Sequence, residues 1–136
     1  MIIDTSALVA ILTSEAGSEA LIEAVCAERG GIPAPVSVEF LRVAGNQRFR
    51  LRQEAGELLA SFERRGSPIL PFTQDHARIA VSAEPLYGAG NGNGGSLNLL
   101  DLMIYAVAKE RDDQLLCTGK DFARTDVQLH PASRPW

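Results

Sequence analysis

Very short apolar segments alternate with longer helix-forming segments along the chain, and this alternation constrains the fold more than any other feature. The short segments are three or four residues long and mainly apolar, as is typical of strands buried on both faces. The predicted strands are residues 1–3, 69–72, 115–117 and 127–129. Residues 32–36 contain Pro33 and Pro35, so extended structure there is short or at a sheet edge. The pattern predicts an α/β fold with a mostly parallel central sheet that is covered on both faces.

The segments between the predicted strands carry the signals of helices. Ala55, Leu58, Leu59 and Phe62 lie at positions i, i+3, i+4 and i+7, which form one face of a helix. Thr73 is a typical helix cap before another such segment. The predicted helices cover residues 7–12, 17–30, 38–43 after a Ser37 cap, 55 to about 66, 74 to about 87, and 99–110 after Asn98, and residues 118–123 form a turn with a short helix.

Length and charge limit the domain organisation and the partners. A chain of 136 residues predicts a single domain, with residues 1–129 as its core and residues 130–136 as an unstructured tail. Thirteen basic and seventeen acidic residues give a net charge of −4, so the chain has no broad basic face. This balance argues against tight metal-free binding of nucleic acid. It allows a site that approaches phosphates through bound cations.

The cysteines and the apolar runs indicate the compartment. Cys26 and Cys117 are too few for a disulfide scaffold, and both are predicted to be buried thiols. The first residues lack the charged-then-apolar pattern of a signal peptide. The longest apolar run, residues 99–108, contains Asp101 and is too short to cross a bilayer. We expect a soluble cytoplasmic protein with no membrane partner.

Four acidic residues stand where the loops of such a sheet converge. Asp4 directly follows the first predicted strand, and Asp121 follows the strand at residues 115–117. Glu39 and Asp101 lie in the first turns of predicted helices. Sites in open α/β sheets form beyond the carboxyl ends of the strands. We therefore expect these four carboxylates to lie close together.

Helix capping is an alternative explanation for these acids, because acidic side chains stabilise helix N-termini. Asp4 has the position of an N-cap. The pairs Asn98 with Asp101 and Thr118 with Asp121 have the spacing of capping boxes. Each acid taken separately is therefore compatible with a structural role.

Asp101 is the exception, because it lies in the most apolar helical segment of the chain. Burying an unpaired carboxylate costs roughly several kcal/mol, and no Lys or Arg stands three or four positions away. A distant arginine would neutralise it, but a cation shared by several acids explains more of the pattern. Mg²⁺ and Mn²⁺ prefer oxygen ligands and typically act on phosphate esters in such sites. Zinc is not expected, since His76 and His130 have no ligand-spaced partners and are predicted to be surface or packing residues.

Five segments together resemble one known family. They are MIIDTSALVAIL, SVEFLRV, PFTQDHARIA, LNLLDLMIYAVAKE and LLCTGKDFARTDV, in this order from residue 1 to about residue 129. The chain resembles the PIN-domain family, and within it the VapC-type ribonuclease toxins of prokaryotic type II toxin–antitoxin systems. The resemblance implies a PIN-like three-layer α/β/α fold with a short-stranded, mostly parallel central sheet.

The resemblance also implies an activity, a metal and partners. It implies a Mg²⁺- or Mn²⁺-dependent endoribonuclease that leaves a 5′-phosphate and a 3′-hydroxyl. At the matching positions the catalytic and metal-binding acids are Asp4, Glu39, Asp101 and Asp121. The supporting hydroxyls are those of Thr5, Ser6 and Thr118. The implied partners are RNA as substrate, a VapB-like antitoxin as inhibitor, and a second copy of the chain in a homodimer.

Several alternatives remain open. Asp126 is a second candidate for the fourth acid, because Lys120 would weaken metal binding if it paired with Asp121. Residues 88–96, GAGNGNGGS, form a predicted mobile loop where many relatives have a basic or His-containing stretch. The alternative function is a PIN-like module that binds RNA or protein without cleaving. Aspartyl-phosphate chemistry is disfavoured, since the dehalogenase-like phosphatases require an acid where Ser6 stands.

Overall fold

The computed structural model describes residues 1–135, and within this range it has four short strands and six helices. The strands are β1 (Ile2–Ile3), β2 (Ile32–Pro33), β3 (Ile69–Leu70) and β4 (Leu115–Leu116). The helices are α1 (Thr5–Leu12), α2 (Ser18–Glu28), α3 (Ala34–Ala44), α4 (Arg52–Arg64), α5 (Gln74–Tyr87) and α6 (Leu99–Glu110). The alternation of strands and helices confirms the predicted α/β class.

All strand pairs of the described chain are parallel. β1 pairs with β4, and β2 pairs with β3. Isolated parallel bridges join Ile2 to Gly31 and Leu115 to Leu129. The strands therefore lie in the order β3, β2, β1, β4, with residue 129 beyond β4, and the carboxyl ends of β1 and β4 are neighbours.

Helices cover both faces of this sheet. Successive strand residues point to opposite faces, and Ile2, Ile3, Leu115 and Leu116 are all fully buried. Helices α1 to α4 contact one another, α5 packs along α6, and α3 also contacts α6. This is the three-layer arrangement that the resemblance implied. Among residues 1–135, no helix is long and apolar enough to cross a membrane.

Helix α3 begins earlier than the sequence predicts. It starts at Ala34 rather than after a Ser37 cap, so Glu39 lies in the second turn and not in the first. Pro35 is compatible with this start, because a residue in the first turn has no intrahelical N–H bond to lose and proline presets a helical φ. The proline-rich stretch therefore contains the two-residue strand β2, which is short as predicted, and also the start of a helix that the sequence did not predict there.

Three further predictions were wrong. Residues 118–123 form turns without the short helix, and residues 127–129 contribute one bridge rather than a strand. Cys26 is exposed, whereas Cys117 is buried as predicted. Helix α2 buries a stripe through Leu21, Ala24 and Val25, and Cys26 lies beside that stripe rather than on it.

The C-terminal segment is packed rather than unstructured. In residues 130–135, His130 and Ser133 are buried. The Ser133 hydroxyl accepts a hydrogen bond from the backbone N–H of Cys117 at 3.1 Å. These buried polar contacts hold the segment in place. Because they involve polar residues, the segment has no apolar periodicity from which its packing could be predicted. Trp136, which also belongs to the predicted tail, lies outside the described residues.

Candidate active site

The four acids predicted from the sequence line one cleft beside the neighbouring carboxyl ends of β1 and β4. The cleft has a volume of about 300 Å³. Its acidic residues are Asp4, Glu15, Glu39, Asp101 and Asp121. Its other polar residues are Thr5, Ser6, Asn98 and Thr118. The lining therefore includes the three hydroxyl residues predicted to support the acids.

Asp4 joins the end of β1 to the start of α1 and is buried. Its backbone N–H donates to the Leu116 carbonyl at 3.0 Å, and its side chain caps α1 by accepting from the Ser6 backbone N–H at 2.9 Å. The Ser6 hydroxyl donates to the same carboxylate oxygen, Oδ2. Burial raises the pKa of Asp4 to about 6; the hydrogen bonds from Ser6 oppose this rise, and the negative charge of Glu39 adds to it. Asp4 is therefore both a helix cap and a cleft residue.

Asp101 lies in the first turn of α6 and forms the predicted capping box with Asn98. The backbone N–H of Asn98 donates to Asp101 Oδ2 at 2.9 Å, and the Asn98 side chain accepts from the Asp101 backbone N–H at 3.0 Å. Burial raises the pKa of Asp101 to about 7 against the effect of the hydrogen bond from Asn98. The negative charges of Asp4, Asp121 and Glu39 raise it further. Asp101 is thus both a capping residue of α6 and a lining residue of the cleft.

Hydrogen bonds connect the turn after β4 to the rest of the cleft. The Ser6 hydroxyl accepts from the Thr118 backbone N–H at 2.9 Å while it donates to Asp4. Asp121 is exposed at the rim, and its backbone carbonyl accepts from the Ser96 hydroxyl at 2.6 Å. These contacts fix Thr118 and Asp121 relative to the start of α1.

Glu39 and Glu15 complete the acidic lining. Glu39 reaches the cleft from the second turn of α3, on the same helical face as Val43. Glu15 follows α1, and its carboxylate lies 3.7 Å from Nη2 of Arg134. The sequence carries no signal for Glu15, because its place depends on the left-handed backbone of Ser14, with φ 52°, and on the distant C-terminal segment.

In the part of the chain that the structure describes, the four predicted carboxylates have no positively charged partner. None of them forms a salt bridge within residues 1–135. The Thr5 hydroxyl in the same cleft is buried and has no hydrogen-bond partner among these residues. Unpaired carboxylates beside an unsatisfied hydroxyl are a donor set that fits a hard divalent cation.

The cleft is wider than a preformed metal cage. No three His, Cys, Asp or Glu side chains in residues 1–135 lie close enough together to hold an ion directly. Mg²⁺ in proteins commonly keeps several waters and uses only one or two carboxylates. The oxygen-only lining is therefore compatible with a hydrated ion.

Comparison with known families identifies the fold. The PIN domain family model matches residues 1–128. The chain belongs to the PIN-domain family. Its curated relatives include Ribonuclease VapC42 of Mycobacterium tuberculosis, 34% identical over 94% of this chain and 97% of that protein. Ribonuclease VapC of Mycolicibacterium smegmatis is 36% identical over 93% of this chain and 97% of that protein.

Solved structures show the same PIN-like fold. A toxin–antitoxin complex from Klebsiella pneumoniae contains a chain that matches 97% of this one with a TM-score of 0.66 and 21% identity, and 93% of that chain is covered. VapBC2 from Rickettsia felis, bound to a DNA fragment from its promoter, matches 99% of this chain and 97% of its own with a TM-score of 0.70 and 16% identity. These likenesses support the architecture of the domain.

Asp126 lies outside the cleft of this PIN domain. Its carboxylate accepts from the Tyr105 hydroxyl at 2.6 Å and from Lys109 Nζ at 3.0 Å. Lys120 is exposed and forms no salt bridge with Asp121 in the described chain. Asp121 and not Asp126 is thus the acid that lines the cleft with the other three.

The two histidines of the PIN domain are packing residues, as predicted. His76 Nε2 lies 3.3 Å from Glu110, and His130 Nε2 lies 2.8 Å from Glu28. Both rings are buried and away from the acidic cleft.

Proposed function

We propose that this PIN-domain protein is a metal-dependent endoribonuclease and the toxin of a toxin–antitoxin pair. One observation carries the proposal: four carboxylates that are distant in the sequence line a single cleft without a salt-bridge partner in residues 1–135. The VapC ribonucleases that match nearly the whole chain support RNA as the substrate. The chain would act as one PIN-like domain in the cytoplasm.

The acidic lining gives the cleft a strongly negative potential. A phosphodiester that enters it meets carboxylates and would be repelled. Burial raises the pKa of Asp4 and Asp101, which means that it disfavours their charged forms. A divalent cation would remove both the repulsion between the carboxylates and the repulsion of the substrate.

The proposed ligands of Mg²⁺ or Mn²⁺ are Asp4, Glu39, Asp101 and Asp121. When bound, such an ion neutralises phosphate charge and activates water for in-line attack on phosphorus. The water oxygen would become part of the 5′-phosphate, and the broken P–O bond would leave a 3′-hydroxyl.

The hydroxyl residues have distinct supporting roles. Ser6 holds Asp4 in place through two hydrogen bonds to one carboxylate oxygen. Thr118 is tied to Ser6 through its backbone N–H. Thr5 supplies a buried hydroxyl that has no hydrogen-bond partner in residues 1–135 and that would help to orient the neighbouring acids.

The antitoxin and the homodimer are further parts of the proposal. The similar solved structures are toxin–antitoxin complexes, which supports a VapB-like partner. An arginine from such a partner would fit the cleft, because a guanidinium pairs well with carboxylates. Homodimerisation rests on the family resemblance.

The test is cleavage of RNA by the purified protein, free of its antitoxin. We expect cleavage with Mg²⁺ or Mn²⁺, its loss in EDTA, its recovery when the metal is restored, and products with 5′-phosphate ends. The product of the neighbouring reading frame should inhibit the reaction. Cleavage that continues in EDTA, or that Asp101→Asn leaves unchanged, would show that the nuclease is a contaminant or that its site lies elsewhere. RNA binding without cleavage under both metals would indicate the non-cleaving module.

A further inference from the structure

A second cavity lies beside the acidic cleft, between the glycine-rich loop and the turn after Asp121. Its volume is about 240 Å³. The residues that matter for its chemistry are Tyr87, Gly94, Ser96 and Arg124. The Ser96 hydroxyl lines this cavity and donates at 2.6 Å to the backbone carbonyl of Asp121, which lines the cleft. An extended polymer bound in the cleft would therefore continue into the cavity.

Arg124 supplies a positive charge to this cavity. It is exposed and forms no salt bridge within residues 1–135. Its guanidinium lies against the loop, since a Cβ placed on Gly94 would be 3.9 Å from Arg124 Nη1. Free guanidinium groups bind phosphate oxygens through two parallel hydrogen bonds.

The glycine-rich loop adds backbone donors to the same cavity. The Asn91 side chain accepts from the N–H groups of Asn93 and Gly95 at 2.7 and 3.2 Å, and these bonds hold the loop in one shape. The intervening Gly94 has φ +79°, and neither its N–H nor that of Ser96 has an acceptor in the described chain. Gly94 and Ser96, whose N–H groups have no acceptor within residues 1–135, thus line the same cavity as Arg124.

Tyr87 gives the cavity an aromatic surface. It is half-buried, and its ring packs against Tyr105 with 5.5 Å between centroids. A tyrosine ring held in this way can stack on an unpaired base of RNA. An acidic peptide would form an ion pair with Arg124, but it has no base that could stack on the ring of Tyr87.

We propose that this cavity is a nucleotide subsite for single-stranded RNA. Arg124 and the N–H groups of Gly94 and Ser96 bind a phosphate next to the scissile one, and Tyr87 contacts its base. The subsite rests on the proposed ribonuclease function and explains how an acidic protein holds RNA beside an acidic cleft. It also gives the glycine-rich loop a role in substrate binding.

The test compares Arg124→Gln with Arg111→Gln on two substrates. Arg111 is a matched control because it is exposed, unpaired in the described chain, and at the far end of α6, about 20 Å from Asn98. The substrates are a single-stranded oligoribonucleotide and bis(p-nitrophenyl) phosphate, which is too small to span both sites. Arg124→Gln is expected to raise KM for the oligoribonucleotide about tenfold, with no change in turnover of the small diester.

The salt dependence separates a phosphate contact from a structural role. Loss of one contact should reduce the slope of log kcat/KM against log salt concentration by about 0.7. Arg124→Lys should restore most of that slope, and Arg111→Gln should leave it unchanged. Equal losses on both substrates, an unchanged KM, or an effect only on inhibition by the antitoxin would overturn the subsite. Wild-type protein that cleaves no RNA would overturn the proposed function together with the subsite.

Discussion

The acidic cleft and the cluster around Asp126 place aspartates in opposite surroundings. Burial raises the pKa of Asp4 to about 6 and that of Asp101 to about 7, and neither forms a salt bridge within residues 1–135. Hydrogen bonds from Tyr105 and Lys109 instead lower the pKa of Asp126. An acid with local partners is typical of a structural role, whereas acids whose pKa is raised by burial and that have no positive partner in residues 1–135 are typical of functional sites.

The largest expected difference between the two regions is in RNA cleavage. Asp4→Asn or Asp101→Asn should reduce kcat/KM by about a hundredfold or more, because each removes the charge of a proposed metal ligand. Asp126→Asn should leave kcat/KM within about twofold of wild type, since the Asp126 carboxylate lies outside the cleft and is bound by Tyr105 and Lys109. Steady-state kinetics on one RNA substrate measure all three variants. Equal losses of kcat/KM in Asp126→Asn and Asp101→Asn would contradict the distinction between cleft acids that act in cleavage and an acid with a structural role.

The pH dependence of stability should also separate the regions. A carboxyl whose pKa is raised on folding contributes stability below its unfolded pKa of 3.8 and loses it as pH rises through its folded pKa. In EDTA, wild-type protein should therefore lose stability relative to Asp4→Asn/Asp101→Asn between about pH 4 and pH 7. We expect the difference in unfolding free energy to grow by on the order of 2–4 kcal/mol, which is less than the full value of the two pKa shifts because solvent screens the half-exposed Asp101. Urea denaturation at each pH measures it, and parallel curves would contradict the raised pKa values.

Divalent metal should reverse this loss of stability in the wild-type protein. A ligand at a hundred times its Kd stabilises the folded state by about 2.7 kcal/mol. Mg²⁺ or Mn²⁺ should therefore raise the Tm of wild type and of Asp126→Asn by several degrees, as followed by circular dichroism. The Asp4→Asn/Asp101→Asn variant serves as the control. An equal rise of its Tm would show that the metal binds outside the cleft.

The smallest effect is expected in the Asp126 cluster. Asp126→Asn should lower the unfolding free energy at pH 7 by about 1 kcal/mol, because it weakens the hydrogen bond from Tyr105 and the contact with Lys109. The pKa of Asp126 is lowered on folding, so this contribution is present near neutral pH and is lost as pH falls through the folded pKa. Tyr105→Phe should cost a similar amount in urea denaturation. A stabilising Asp126→Asn would be inconsistent with this cluster.

The sequence predicts those parts of the site that depend on local signals. Asp4 and Asp101 follow or begin regular elements, and their capping patterns place them where strands and helices meet. Glu39 lines the cleft although the start of its helix was predicted wrongly, because α3 extends in both directions around it. Short strands and helical periodicity likewise specified the α/β class.

Polar contacts between residues that are distant along the chain could not be predicted from the sequence. The position of Glu15 in the cleft depends on the left-handed backbone of Ser14 and on the contact with Arg134, which lies near the other end of the chain. The packed C-terminal segment depends on Ser133 and His130, whose partners are distant in sequence. Such pairings have no periodicity, and a short polar tail has the same composition whether it is packed or free.

The raised pKa values of the cleft acids are tested most directly by an NMR titration of the carboxyl carbons in metal-free protein, repeated with Mg²⁺. The pKa values of Asp4 and Asp101 should be about 6 and about 7 without metal and should fall when Mg²⁺ is added. That of Asp126 should lie below 3.8 in both conditions. Ordinary values near 3.8 for Asp4 and Asp101, unchanged by Mg²⁺, would contradict the account.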